Sequence, residues 1–253
     1  FTNLFIGVSL GANVLAARFY ATGKSKEMSE TVHTAIALAA ISGVVMCIIG
    51  IAAAREALVL IDTPDDVIGQ AALYLRLYFC GMPFFMLYNY GAAILRAVGD
   101  TKRPLMYLII AGSTNAVLDL VLVIIFKMGV AGVAIGTVTS QLISCILVIR
   151  CLMITESDYK LRIRDLRIRK YYLLQILSVG LPAGIQSTVI NFSNVLLQSS
   201  VNSFGEIAMA GYTAANNILG FLYVSVNSIT QACMSFTSQN YGVRKFKQIG
   251  RAH

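Results

Sequence analysis

Seven apolar stretches, at about residues 1–17, 34–54, 71–95, 104–126, 131–153, 172–200 and 208–236, alternate along the chain with short polar connections. A helix rises 1.5 Å per residue, so each stretch is near the length that crosses roughly 30 Å of hydrocarbon. Taken in order as segments A to G, they predict an all-α integral membrane protein. The charge between them alternates as well. Seventeen of the 20 basic residues follow A, C, E or G, from Arg18, Lys24 and Lys26 to Arg244, Lys245, Lys247 and Arg251. The other connections are poor in them: B to C has Arg55 against Glu56, Asp62, Asp65 and Asp66, D to E has only Lys127, and F to G has only Glu206. Basic loops stay in the cytoplasm, which places the connections after A, C, E and G inside. The first visible residue then lies outside, as expected of an internal stretch of a longer chain.

Two prolines, Pro104 and Pro182, are expected near helix starts, where a missing N–H costs little. Pro64 falls in an outer loop. Pro83, beside Gly81 in segment C, predicts a kink, as an ordinary membrane-helix proline or as a gating hinge.

Composition narrows the function. Of the 253 residues 57% are hydrophobic and 13% charged, with a mean hydropathy of +0.72. A soluble domain carries roughly 25% charged residues, so a soluble enzyme is excluded. Topology accounts for the net charge of +8, so no nucleic-acid partner is implied. The five cysteines lie in or beside apolar runs without metal-ligand spacing and predict packing thiols. His33 and His253 read as interface histidines near inner loops. No catalytic or phosphate-binding motif is present, and no cofactor is implied.

Tyr20, Lys24 and Lys26 recur as Tyr241, Lys245 and Lys247, a constant offset of 221 that spans six helices. An even number of helices returns the chain to the same side, so the copies predict parallel repeats about an axis along the membrane normal. The longest connection, 154–171, then links two halves. Residues 1–153 supply five helices of an N-terminal bundle and 172–253 the first two of a C-terminal bundle, from a twelve-helix parent.

These features meet in one family. The two Tyr-to-Lys loops, Gly99-Asp100-Thr101-Lys102-Arg103-Pro104, Asn115 to Asp119, Gly129-Val130-Ala131-Gly132-Val133-Ala134 and Gly180-Leu181-Pro182-Ala183-Gly184 together resemble the multidrug and toxic compound extrusion (MATE) transporters over essentially the whole chain. The resemblance implies two six-helix bundles in a V-shaped antiporter. Such a protein exports organic cations and other amphiphiles in exchange for Na⁺ or H⁺, without ATP, from a bacterial plasma membrane. A monomer is expected.

Asp119 is the one acidic residue deep in a predicted span, where a charge costs about 2.5–3.5 kcal/mol on insertion scales. Asn115, four residues earlier, shares its helix face. Asp119 should lie about 10 Å below the outer end of segment D and Thr137 of segment E about 9 Å below the same surface. Carboxylate, amide and hydroxyl oxygens can converge there on Na⁺, or surround a proton on Asp119. The competing reading is a carboxylate that only hydrogen-bonds neighbouring helices, and Thr139 and Ser140 compete with Thr137. In the family, matching residues form part of a cation or proton site that also uses an acid on the first helix, which is absent here. Arg76 reads as a side chain snorkelling to the interface.

Segments F and G carry amides and no Asp, Glu, Lys or Arg within the spans. Gln186, Asn191, Asn194 and Gln198 are expected to line a substrate pathway, against the plainer reading of helix-to-helix hydrogen bonds. Two other functions compete with an exporter. A lipid-linked precursor flippase would need a more basic cavity than Asp119 and Arg76 offer, and a seven-helix receptor would not carry the repeat.

Overall fold

The computed structural model describes residues 2–60, 65–202 and 204–251, so Asp62, Pro64 and His253 lie outside the described residues. Helices follow in the order α1 (Thr2–Ala21), α2 (Ser25–Leu60), α3 (Asp65–Cys80), α4 (Met82–Ala97), α5 (Lys102–Leu120), α6 (Gly129–Ile154), α7 (Lys170–Asn202), α8 (Glu206–Gly242) and α9 (Phe246–Arg251), with no strand among the described residues. Among the described residues six helices are each long and apolar enough to cross a membrane, and the bent pair α3 and α4 makes a seventh crossing if it is one span. Each of the seven apolar stretches falls on one of these helices or on the bent pair.

The expected kink falls where segment C breaks at Gly81, with a 43° bend between α3 and α4. Gly81 gives up its side chain to Gln141 of α6, and Pro83 packs on Gly43 of α2. Pro83 sits in the first turn of α4, where its missing donor would be unpaired anyway. Pro104 is likewise near the start of α5, but Pro182 is not at a helix start. It lies inside α7, because the helix begins at Lys170, a full 12 residues earlier. Segment F, which starts at about residue 172, already placed Pro182 some ten residues into the span.

The core is built by α1, α2 and α4 around Val8, Ala12, Val32, Met82, Met86 and Tyr90. By contrast Leu105, Leu108 and Ile109 of α5 and Phe221 and Val224 of α8 are exposed. In water so continuous an apolar surface would aggregate, whereas in a bilayer it costs nothing. α1 crosses α7 at four glycines, with Gly7 against Gly184 and Gly11 against Gly180. Towards the basic connections the helices meet through polar contacts. The Ser235 hydroxyl donates to Asn13 Oδ1 at 3.1 Å, Asn13 Nδ2 donates to the Ala93 carbonyl at 2.8 Å, and Gln239 Nε2 donates to the Ala97 carbonyl at 2.7 Å.

The connection 154–171 is clasped to the start of α2 rather than free. Glu30 pairs with Arg167 at 3.0 Å and Arg169 at 2.8 Å. Burial acts to raise the Glu30 pKa, yet the two guanidinium groups outweigh it and hold the carboxyl below its ordinary value. This ion-pair contribution is complete above the usual carboxylate range and fades as pH falls through the depressed value. His33 is buried, not at an interface, because its ring is spent on the same clasp. Its Nε2 accepts the Arg162 N–H at 3.1 Å, so Nδ1 carries the proton and donates to the Ser29 carbonyl at 2.7 Å.

The loop repeat extends to backbone geometry. α1 ends at Ala21 and α8 at Gly242; Gly23 and Arg244 take positive φ of 65° and 58°; the next helices start at Ser25 and Phe246. The Lys24 N–H reaches the Phe19 carbonyl as the Lys245 N–H reaches that of Asn240. Every pair is 221 residues apart, so the same turn is built twice. Only the first copy uses the residue type that adopts this conformation without cost.

Candidate functional site

Asp119 closes the last turn of α5, half-buried, with Asn115 one turn earlier on the same face. Asn115 Nδ2 donates to Asp119 Oδ1 at 3.3 Å. Across from them, α6 presents Gly136, where any side chain would collide with the Asp119 carboxylate. Gly132 does the same one turn up, against Leu122. The Gly132-x-x-x-Gly136 spacing thus brings the α6 backbone up to the carboxylate. Two residues past Asp119, α5 widens into a π turn over Val121–Ile125, closed by the Phe126 N–H on the Val121 carbonyl. Such turns cluster at functional sites because they shift the carbonyl ladder.

Thr137 follows Gly136 directly, and its hydroxyl donates to the Val133 carbonyl at 3.0 Å. The proton is committed to the helix, so the oxygen has only lone pairs to offer. Measured from the helix ends at the connection between α5 and α6, Asp119 is about 9 Å deep and Thr137 about 12 Å. The structure thus joins Asp119 to Asn115 directly and puts Thr137 one residue from their glycine wall, while showing no bond between Thr137 and Asp119. Ser140, a competitor for that role, is buried and donates to the Thr137 carbonyl at 2.8 Å. Among the described residues Asp119 makes no ion pair, and no cluster of three His, Cys, Asp or Glu suits a transition metal. One carboxylate with neutral oxygens suits a monovalent hard cation or a proton.

The amides of α7 are arranged differently. Asn191, Asn194 and Gln198, at spacings of three and four, share one helix face, with Gln186 turned about 100° away. Gln186, Asn191 and Asn194 are exposed, and Asn191 Nδ2 donates to the Ser187 carbonyl at 2.7 Å.

Three features escaped sequence reading. Gly136 was visible in its spacing to Gly132, which marks close helix approach. The π turn has no sequence signal. Arg96, read as part of a basic loop, lies in the last turn of α4 and reaches the space between α4, α5 and α8. Counting only Asp119 and Arg76 as charges within the bundle therefore understated its basic character. Arg76 itself is exposed, in keeping with snorkelling.

The MatE family model matches residues 1–121 and 182–253. Among curated relatives, the probable multidrug resistance protein YoeA of Bacillus subtilis is 29% identical over 252 residues, covering 96% of this chain and 54% of the relative. YpnP of the same organism, also a probable multidrug resistance protein, is 30% identical over 75% of this chain and 42% of its own length. The Staphylococcus aureus multidrug export protein MepA is 23% identical, covering 96% and 53% respectively. The chain spans about half the length of these relatives. Among solved structures, MATE in the bent conformation superposes with a TM-score of 0.88 at 23% identity, over 99% of this chain and 56% of that one. An outward-facing multidrug resistance MATE family transporter superposes with a TM-score of 0.87 at 21% identity, over the same 99% and 56%.

Proposed function

The chain belongs to the MatE family, and from that premise we propose that the protein is a secondary active exporter, exchanging Na⁺ or H⁺ for drugs and other amphiphilic or cationic organic compounds across a bacterial plasma membrane. The observation that carries the proposal is Asp119: an unpaired carboxylate inside a span, held by Asn115 and walled by Gly136. A charge so placed costs several kcal/mol unless a cation or proton neutralises it during the cycle. Asn115 and Thr137 supply further oxygens, and the α7 face of Asn191, Asn194 and Gln198, with Gln186 beside it, offers hydrogen bonds to cargo. Residues 1–153 and 172–253 are assigned to two bundles, which rock about their contact to exchange access. The 221-residue recurrence of the loop turn supports that division. The protein acts as a monomer, without cofactor.

The test is transport of ethidium by proteoliposomes under an imposed Na⁺ or pH gradient. Ethidium movement should follow one of the two gradients and ignore ATP; movement indifferent to both would refute the exporter. Orientation is checked separately. A cysteine introduced as Lys160→Cys in intact cells should react with an impermeant maleimide only after permeabilisation, and labelling from outside would reverse the topology.

A further inference from the structure

Near the inner ends of α4 and α5, facing α8, lies a cavity of about 540 Å³, within the 300–1,000 Å³ of small-molecule sites. Arg96 and Tyr88 border it from α4, Leu105 and Leu108 from α5, and Gln231 and Phe236 from α8. Arg96 also lines a narrower gap together with Leu10 and Asn13 of α1 and Gln231 and Met234 of α8. Among the described residues, no carboxylate lines either space. Asp100, only four residues from Arg96, is spent on Arg103, accepting its backbone N–H at 3.1 Å and its Nε at 3.3 Å. Tyr88 gives its O–H proton to the Pro104 carbonyl at 3.1 Å. Among the described residues, the Arg96 guanidinium has neither a hydrogen bond nor an ion pair.

A guanidinium withdrawn from water in a protein is ordinarily paired, because its desolvation is otherwise uncompensated. Its planar fork matches a carboxylate, sulfonate or phosphate. We propose that this cavity binds the anionic headgroup of an amphiphile, with Arg96 on the charge, the Gln231 amide beside it, and the apolar body against Leu105, Leu108 and Phe236. The site is distinct from Asp119, which lies 11 residues up α5 from Leu108, or about 16 Å. Opposite charges thus stand at opposite depths. That a bound anion is also cargo rests on the exporter reading, but the binding itself does not.

Isothermal titration of the protein in lipid nanodiscs with 2-naphthalenesulfonate, and with the uncharged 2-naphthalenesulfonamide, tests the site without requiring transport. Wild type should prefer the sulfonate by roughly tenfold or more, the range of a charge-assisted hydrogen bond. Arg96→Gln should remove the preference, Arg96→Lys should keep part of it, and Asp119→Asn should keep all of it. Ala232→Asp, which puts a carboxylate into the same cavity, should abolish sulfonate binding while keeping the thermal midpoint, and serves if Arg96→Gln does not fold. Equal affinities for the two compounds in wild type overturn the proposal, as does a sulfonate preference that survives either Arg96→Gln or Ala232→Asp. A failure of gradient-driven transport leaves this binding result unchanged, so the two readings fail separately.

Discussion

Replacing Asp119 with Asn is expected to leave the protein inserted and folded while ion-driven transport falls to the level of protein-free vesicles. The exchange is nearly isosteric, and the new amide can still meet Asn115, which now sits 3.3 Å from the carboxylate. Removing an intramembrane charge lifts an insertion cost of about 2.5–3.5 kcal/mol, so the thermal midpoint should hold or rise. Function should move the other way, because a neutral amide neither takes up a proton nor supplies the anionic ligand that Na⁺ requires. The loss should be the same for every substrate, since the ion step is common to all cycles. Ethidium and a second, chemically unrelated cation are therefore measured in parallel with abundance and thermal midpoint. Wild-type transport in a mutant of normal abundance would make Asp119 a structural carboxylate. Loss for one substrate alone would move it from the ion site to the cargo site.

Much of this was legible because hydropathy reports what a helix lacks, namely water. The spans, the bend at Gly81 and the pairing of Asn115 with Asp119 all follow from local rules of length, proline chemistry and i, i+4 spacing. What stayed hidden depends on which helix faces which. Arg96 carries the same sequence signal as Lys102 six residues later, yet only Arg96 turns towards α8 and the shared cavity. His33 looked interfacial until the chain from 154 to 171 folded back over it. Asn13 and Ser235, 222 residues apart, meet only in the packed structure. Polar residues in a span announce that they have partners, but their partners are a tertiary fact.

The crossing of α1 and α7 should be the least tolerant place in the bundle. Gly7-Val8-Ser9-Leu10-Gly11 and Gly180-Leu181-Pro182-Ala183-Gly184 put two glycines, four residues apart, on the facing stripe of each helix. A methyl group at Gly11 would strike the Ile176 carbonyl, and one at Gly7 would strike the Gly184 backbone. Flexible side chains can rotate away from such a clash; backbone cannot, so the two helices would have to part. Lipid offers no hydrophobic drive to push them back together, since association rests on close packing itself. Gly11→Ala and Gly180→Ala are therefore each expected to cost about 1–3 kcal/mol, the usual range for overpacking. The sign is the sharp part of the expectation. Gly112 of α5 and Gly220 of α8 are also helical, but a methyl group there meets nothing, so alanine should be neutral or stabilising by up to about 1 kcal/mol. The measurement is the thermal midpoint of all four variants in detergent, together with Gly7→Ala, Gly184→Ala and the double variant Gly7→Ala/Gly184→Ala. Because Gly7 and Gly184 share one contact, their combined cost should differ from the sum of the single costs. Equal tolerance at all four helical glycines, or strict additivity at Gly7 and Gly184, would mean that the crossing is loose and that another contact holds α7 to α1.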